Sequence, residues 1–99
     1  MEVKFESLSL EKRIKATDKA LTALEKEHYG KNVYFGPSNV MYAMRKFNVY
    51  TSYPASVRKI LDAIFSVGEL EDVLVPVERD LKSGKKEYLE RYYRHRNFD

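Results

Sequence analysis

The chain has 99 residues, of which 43% are apolar and 33% charged, a composition that suits one domain with a single hydrophobic core. It contains no cysteine, which excludes disulfides and thiolate metal sites. The sequence contains no run of about 18 apolar residues, the length that is needed to span a membrane. The Met-Glu-Val-Lys start lacks the apolar core of a secretory signal. We therefore expect an intracellular, cytoplasmic protein with no membrane partner.

Basic residues are unevenly distributed along the chain. The formal net charge is +3, and the segment from 79 to 96 alone carries +4, so the remainder is close to neutral. A small net charge does not establish a polyanionic partner, but a local concentration of cations favours one at that segment.

The first predicted helix covers about residues 10–29, with Ser9 as its N-cap and Gly30 just past its end. One stripe recurs at spacings of three and four: Leu10, Ile14, Thr17, Leu21, Leu24 and His28. We expect this stripe to face the core. A coiled-coil seam between two copies has the same spacing and is the alternative.

Two further helices are predicted, over 37–47 and 53–67. The second begins at Pro37 and ends near Asn48, which tolerates a left-handed conformation, and the third ends at Gly68. Between the first two helices, 33–35 is a β-prone triplet that suits an edge strand or a strap across the core.

The remainder of the chain predicts a strand near 73–78, with Pro76 favouring a position at the edge of a sheet. The tail, 85–96, fits either a helix or a strand that returns along the first. Its content of Lys, Glu, Leu and Arg favours a helix. The predicted fold class is α+β, mostly helical, in a single domain over 1–99.

No catalytic or metal site is evident in the sequence. His28 lies on the apolar stripe, where a structural role is more common, and His95 lies near the end of the chain between two arginines. The acidic residues match no ligand spacing for a cation. We therefore expect that the protein is not an enzyme and that it binds no cofactor, metal or small-molecule substrate.

Two helices joined by a short connector and followed by a strand resemble a winged helix-turn-helix domain. In that fold the third helix would bind duplex DNA through its N-terminal half. The candidate residues there are Ser52, Tyr53, Ser56, Arg58 and Lys59. Any small helical protein contains an adjacent pair of helices, which is the competing explanation.

The tail supplies a second candidate surface, in which cations alternate with Tyr88, Tyr92 and Tyr93. Basic groups neutralise phosphates, and aromatic rings stack on unpaired bases. An amphipathic helix with its tyrosines on the core is the structural alternative. The candidate basic residues are Lys82, Lys85, Lys86, Arg91 and Arg94.

The run from Val33 to Asn39, Val-Tyr-Phe-Gly-Pro-Ser-Asn, together with a composition rich in Tyr and free of Cys and Gln, resembles small proteins of filamentous and rod-shaped viruses of hyperthermophilic archaea. That resemblance implies a thermostable protein in the host cytoplasm, with a winged-helix or ribbon-helix-helix DNA-binding fold or a fold without close relatives. The leading hypothesis is a non-enzymatic accessory or regulatory protein that binds duplex DNA. The alternative is a protein-interaction module, such as a homodimer.

Overall fold

A computed structural model describes residues 1–29 and 31–96. The predicted α+β class is confirmed, with three helices and two small sheets within these residues. The helices are α1 (Leu10–Glu27), α2 (Pro37–Met44) and α3 (Pro54–Ser66), with 3-10 turns at Phe5–Ser7 and Arg45–Phe47. The strands are β1 (Val3–Lys4), β2 (Val49–Tyr50), β3 (Leu70–Leu81) and β4 (Gly84–His95).

The three helices pack around one interior. Leu21 of α1, Val40 of α2 and Leu61 of α3 are each fully buried there. Thr17 on the α1 stripe is also buried, whereas Leu10 at its start is 57% exposed. The centre of the stripe therefore packs against the other helices of the same chain, and burial of these side chains is the main favourable contribution to folding. Because Leu21 is fully buried within the chain, it is not accessible for a coiled-coil contact between two copies.

The ends of the elements follow local chemistry. Ser9 accepts a hydrogen bond from the backbone N–H of Lys12 at 3.3 Å, as an N-cap does. Asn48 has a φ of 62° and Gly68 a φ of 83°, so both adopt the left-handed conformation expected where a helix ends. Gly30, the predicted end of the first helix, lies outside the described residues.

The predicted helix over 85–96 is wrong, because that segment is strand β4. It pairs antiparallel with β3 along the whole of both strands, from Leu70 opposite His95 to Leu81 opposite Gly84. Helix propensity differs by fractions of a kcal/mol per residue, so a valine-rich partner joined by a two-residue loop overrides it. The strand predicted near 73–78 is correspondingly longer than expected.

Phe35 pairs with β4 at the edge of that strand that faces away from β3. Its N–H and carbonyl exchange hydrogen bonds of 2.8 Å with those of Tyr93, which confirms the predicted strap over 33–35. The backbone groups of Tyr93 thus point away from β3, and by alternation so do those of Leu89, opposite Pro76. The nitrogen of Pro76 therefore faces the outer edge of β3, where no ladder bond is lost.

The described elements thus follow in the order helix, strap, two helices and hairpin. Near the start of the chain, β1 pairs in parallel with β2, and Phe5 beside it is fully buried, which attaches the N-terminal segment next to the entry to α3. None of the helices in the described residues is both long and apolar enough to cross a bilayer.

Candidate nucleic-acid interface

One side of α3 is uncovered by the rest of the described chain. Ser52 and Tyr53 at its entry are exposed, and so are Ala55, Lys59 and Ala63, which follow one another at intervals of four. Small alanine side chains let a helix approach a groove closely, and Ala can contact a thymine methyl. Lys59 is the single cation on this row.

Ser56, another predicted contact, turns toward the N-terminal segment. Glu6 accepts a hydrogen bond from the Thr51 hydroxyl at 2.5 Å. Burial raises the pKa of Glu6, but the hydroxyls of Thr51 and Ser56, a backbone hydrogen bond and the charge of Lys4 together lower it by more, so the net pKa is lowered. A negative charge near the start of α3 is favourable to the helix, yet it opposes an approaching phosphate.

Arg58 joins α3 to the hairpin rather than pointing into solvent. Its Nη2 forms an ion pair of 2.9 Å with Glu90, and both side chains are less than a third exposed. Its Nη1 lies 3.5 Å from the carbonyl of Arg91 and from the hydroxyl of Tyr93. Arg58 is thus a structural link between the helix and β4.

A second link lies one turn further along α3. The buried Tyr93 donates its hydroxyl proton to Asp62, and burial together with that carboxylate raises the pKa of Tyr93 above its usual value. Arg91 bonds Asp72 at 3.0 Å, and its guanidinium lies 4.7 Å from the centre of the Phe65 ring. α3 and β4 are therefore held side by side.

Arg94 is also paired within the chain. Its Nε donates to Glu71 at 2.5 Å and its Nη1 to Asn32 at 2.6 Å, while the guanidinium lies over the ring of Tyr34 at 5.0 Å. The hydrogen bond to Glu71 raises the pKa of Arg94. Of the ten predicted contact residues, the three arginines thus have their charge balanced by a neighbouring carboxylate.

The three predicted lysines of the hairpin end are exposed at the loop or next to it. Lys82 lies in the loop, and Lys85 contacts Glu78 at 3.4 Å in a solvated pair that contributes little. Lys86 lies 5.8 Å from the centre of the Tyr88 ring. Arg79, which the sequence did not single out, lies at the same distance from that ring.

His95 is the residue that sequence analysis underestimated. Its Nδ1 lies 2.6 Å from Glu25 and its Nε2 2.5 Å from Asp18, both on α1, and its backbone N–H also donates to Glu25. Hydrogen bonding to Glu25 raises the pKa, burial lowers it, and Asp18 raises it again, to about 9. Only the pairing of β4 brings these residues together, so no local pattern revealed them.

No group of three or more histidine and acidic side chains in the described residues suits a metal ion. Comparisons with protein-family models, with curated proteins and with solved structures each found no match. The resemblance to archaeal viral proteins therefore stays a prediction from composition and sequence.

Proposed function

We propose that the protein is a non-enzymatic accessory or regulatory factor that binds duplex DNA through the uncovered side of α3 and the end of the hairpin. One observation carries the proposal: the Arg58–Glu90 ion pair of 2.9 Å and the bond from Tyr93 to Asp62 hold a projecting hairpin against an uncovered helix. A helix of this kind enters the major groove while the flanking elements contact the backbone.

Charge sets the strength of this interaction. Lys59 on α3 and Lys82 in the hairpin loop are available to phosphates, whereas Lys85 is paired with Glu78 and the paired arginines would first have to leave their carboxylates. The expected mode is modest, salt-sensitive binding with few phosphate contacts, and with shape and the small α3 side chains supplying the fit.

A titration of labelled duplex DNA at rising salt tests the proposal. Lys59→Gln should weaken binding to all sequences by roughly 3- to 10-fold and lower the salt slope by about 1, because one phosphate contact is lost. Lys12→Gln, at another exposed lysine near the start of α1, is the matched control and should leave both the affinity and the salt slope unchanged. Absence of binding at low salt, or equal effects of the two substitutions, would contradict it.

A second candidate is self-association, as expected for an interaction module. Leu74 and Leu89, which are 51% and 66% exposed, are diagonal neighbours on one face of the hairpin, with Pro76 between them. Exposed apolar side chains that share a face are typical of contact surfaces.

A further inference from the structure

We propose that the opposite face of the hairpin is a second nucleic-acid site, which binds an unpaired strand by stacking bases on Tyr88 and Tyr92. This site is separate from the α3 surface and takes a different form of nucleic acid. Binding at this site can therefore be tested separately from duplex binding.

The pairing register places the two rings together. Side chains two or four positions apart on a strand point to the same face, so Tyr88 and Tyr92 share one face of β4. Their partners on β3 are Val77 and Val73, which support the rings from the neighbouring strand. Both rings are partly exposed.

Apart from Arg58 of α3, which reaches Glu90 on the proposed face, the remaining described elements pack against the other face or the base of the hairpin. Tyr93 and Leu70, which point that way, are fully buried. On the proposed face the strap covers only the base, where the Tyr92 ring lies against Gly36. A Cβ atom added to Gly36 would lie 2.9 Å from Cε1 of that ring, so only a glycine lets the ring come this close to the backbone.

Cations accompany the exposed rings. Arg79 and Lys86 form a cross-strand pair on this face, each 5.8 Å from the centre of the Tyr88 ring. The one carboxylate between the two rings, Glu90, is balanced by Arg58 at 2.9 Å and Arg79 at 3.2 Å. The face therefore offers positive charge without an unbalanced acid beside the tyrosines.

The other face of the hairpin end has the opposite character. Glu78, Asp80 and Glu87 point there together with a single lysine, Lys85. A polyanion is thus attracted to one side of the hairpin and repelled by the other.

An unpaired strand suits this face better than a duplex. Ring stacking needs bases with an exposed face, which a duplex lacks in its interior. The strand from Lys86 to Arg94 is about 27 Å long at about 3.4 Å per residue, which provides an extended track with Arg79 and Lys86 near the hairpin end. The proposed ligand is single-stranded DNA or RNA of mixed sequence, because every base has a stacking surface.

The full chain contains no tryptophan, so Tyr88→Trp introduces a single indole reporter into an otherwise unaltered site. Titration with an unlabelled oligothymidylate should quench the indole fluorescence, with an affinity at least equal to that of the original chain measured by anisotropy. The combination Tyr88→Leu with Tyr92→Leu should weaken binding by at least about tenfold. Tyr42→Leu, an exposed tyrosine on α2 that also has a neighbouring arginine, is the control and should leave binding unchanged.

Lys59→Gln distinguishes the two proposals, because it should weaken duplex binding and spare binding of the oligothymidylate. Duplex binding without quenching of the indole would overturn the single-strand site alone. Quenching without duplex binding would overturn the function proposed for α3 alone. Should the double leucine variant unfold, the indole titration still decides the question.

Discussion

At the scale of single residues, His95 links the stability of the fold to pH. The imidazolium lies between Glu25 on one side and Asp18 on the other, and these carboxylates hold its pKa at about 9, against 6.5 for an unperturbed histidine. The folded state therefore binds this proton more tightly than the unfolded state does. The resulting stabilisation is complete below pH 6.5 and is lost as the pH rises through about 9.

The prediction is tested with His95→Asn. The difference in free energy of unfolding between the original chain and the variant should shrink by about 3 kcal/mol from mildly acidic to strongly basic pH, since one pKa unit corresponds to about 1.4 kcal/mol. Urea unfolding at a series of pH values measures this difference. A difference that stays constant with pH would show that the ring contributes packing and no charge.

At the scale of elements, the hairpin depends on its loop. Gly84 closes the two-residue loop with a φ of 113°, a conformation that side chains with a Cβ rarely adopt, although there is open space around it. Gly84→Ala should lower the free energy of unfolding by about 1–2 kcal/mol through backbone strain. Ser83→Ala in the same loop serves as the control, and thermal unfolding of both variants is the measurement. Equal stability of the two would contradict a strained loop.

The same hairpin shows why the tail was mispredicted. Tyr88 and Tyr92 are four residues apart, which fits one face of a helix as well as one face of a strand. The deciding partner, Val73 to Val77, lies across a turn, and its register is not visible from the tail alone. Local propensity could not outweigh the pairing of the whole segment with the strand that precedes it.

At the scale of the whole molecule, self-association through the hairpin is testable by sedimentation. If Leu74 and Leu89 form a contact between two copies, Leu89→Lys should convert a concentration-dependent dimer into a monomer, because a charge would enter an apolar contact. Val67→Lys, a more exposed position at the end of α3, should have no effect. A monomer at every concentration would remove this candidate.

The helical part of the molecule was predictable because each helix carries its own signals. Periodic apolar side chains, Ser9 at a start and Asn48 and Gly68 at ends all act within a few residues. The candidate surface was predictable only in part. Lys59 and the hairpin lysines are exposed as a binding role requires, but the carboxylate partners of Arg58 and Arg94 lie more than 20 residues away in sequence. Charge composition alone cannot show which cations are already paired.

Pro76 bears on how the protein behaves when it is concentrated. Its ring nitrogen faces outward at the middle of the exposed edge of β3, so another strand that paired with this edge would find no backbone N–H donor there. Growth of a continuous cross-β stack from this rim would have to begin by leaving a carbonyl unmatched. One imino acid thus limits how readily the sheet can extend from this edge into an ordered aggregate.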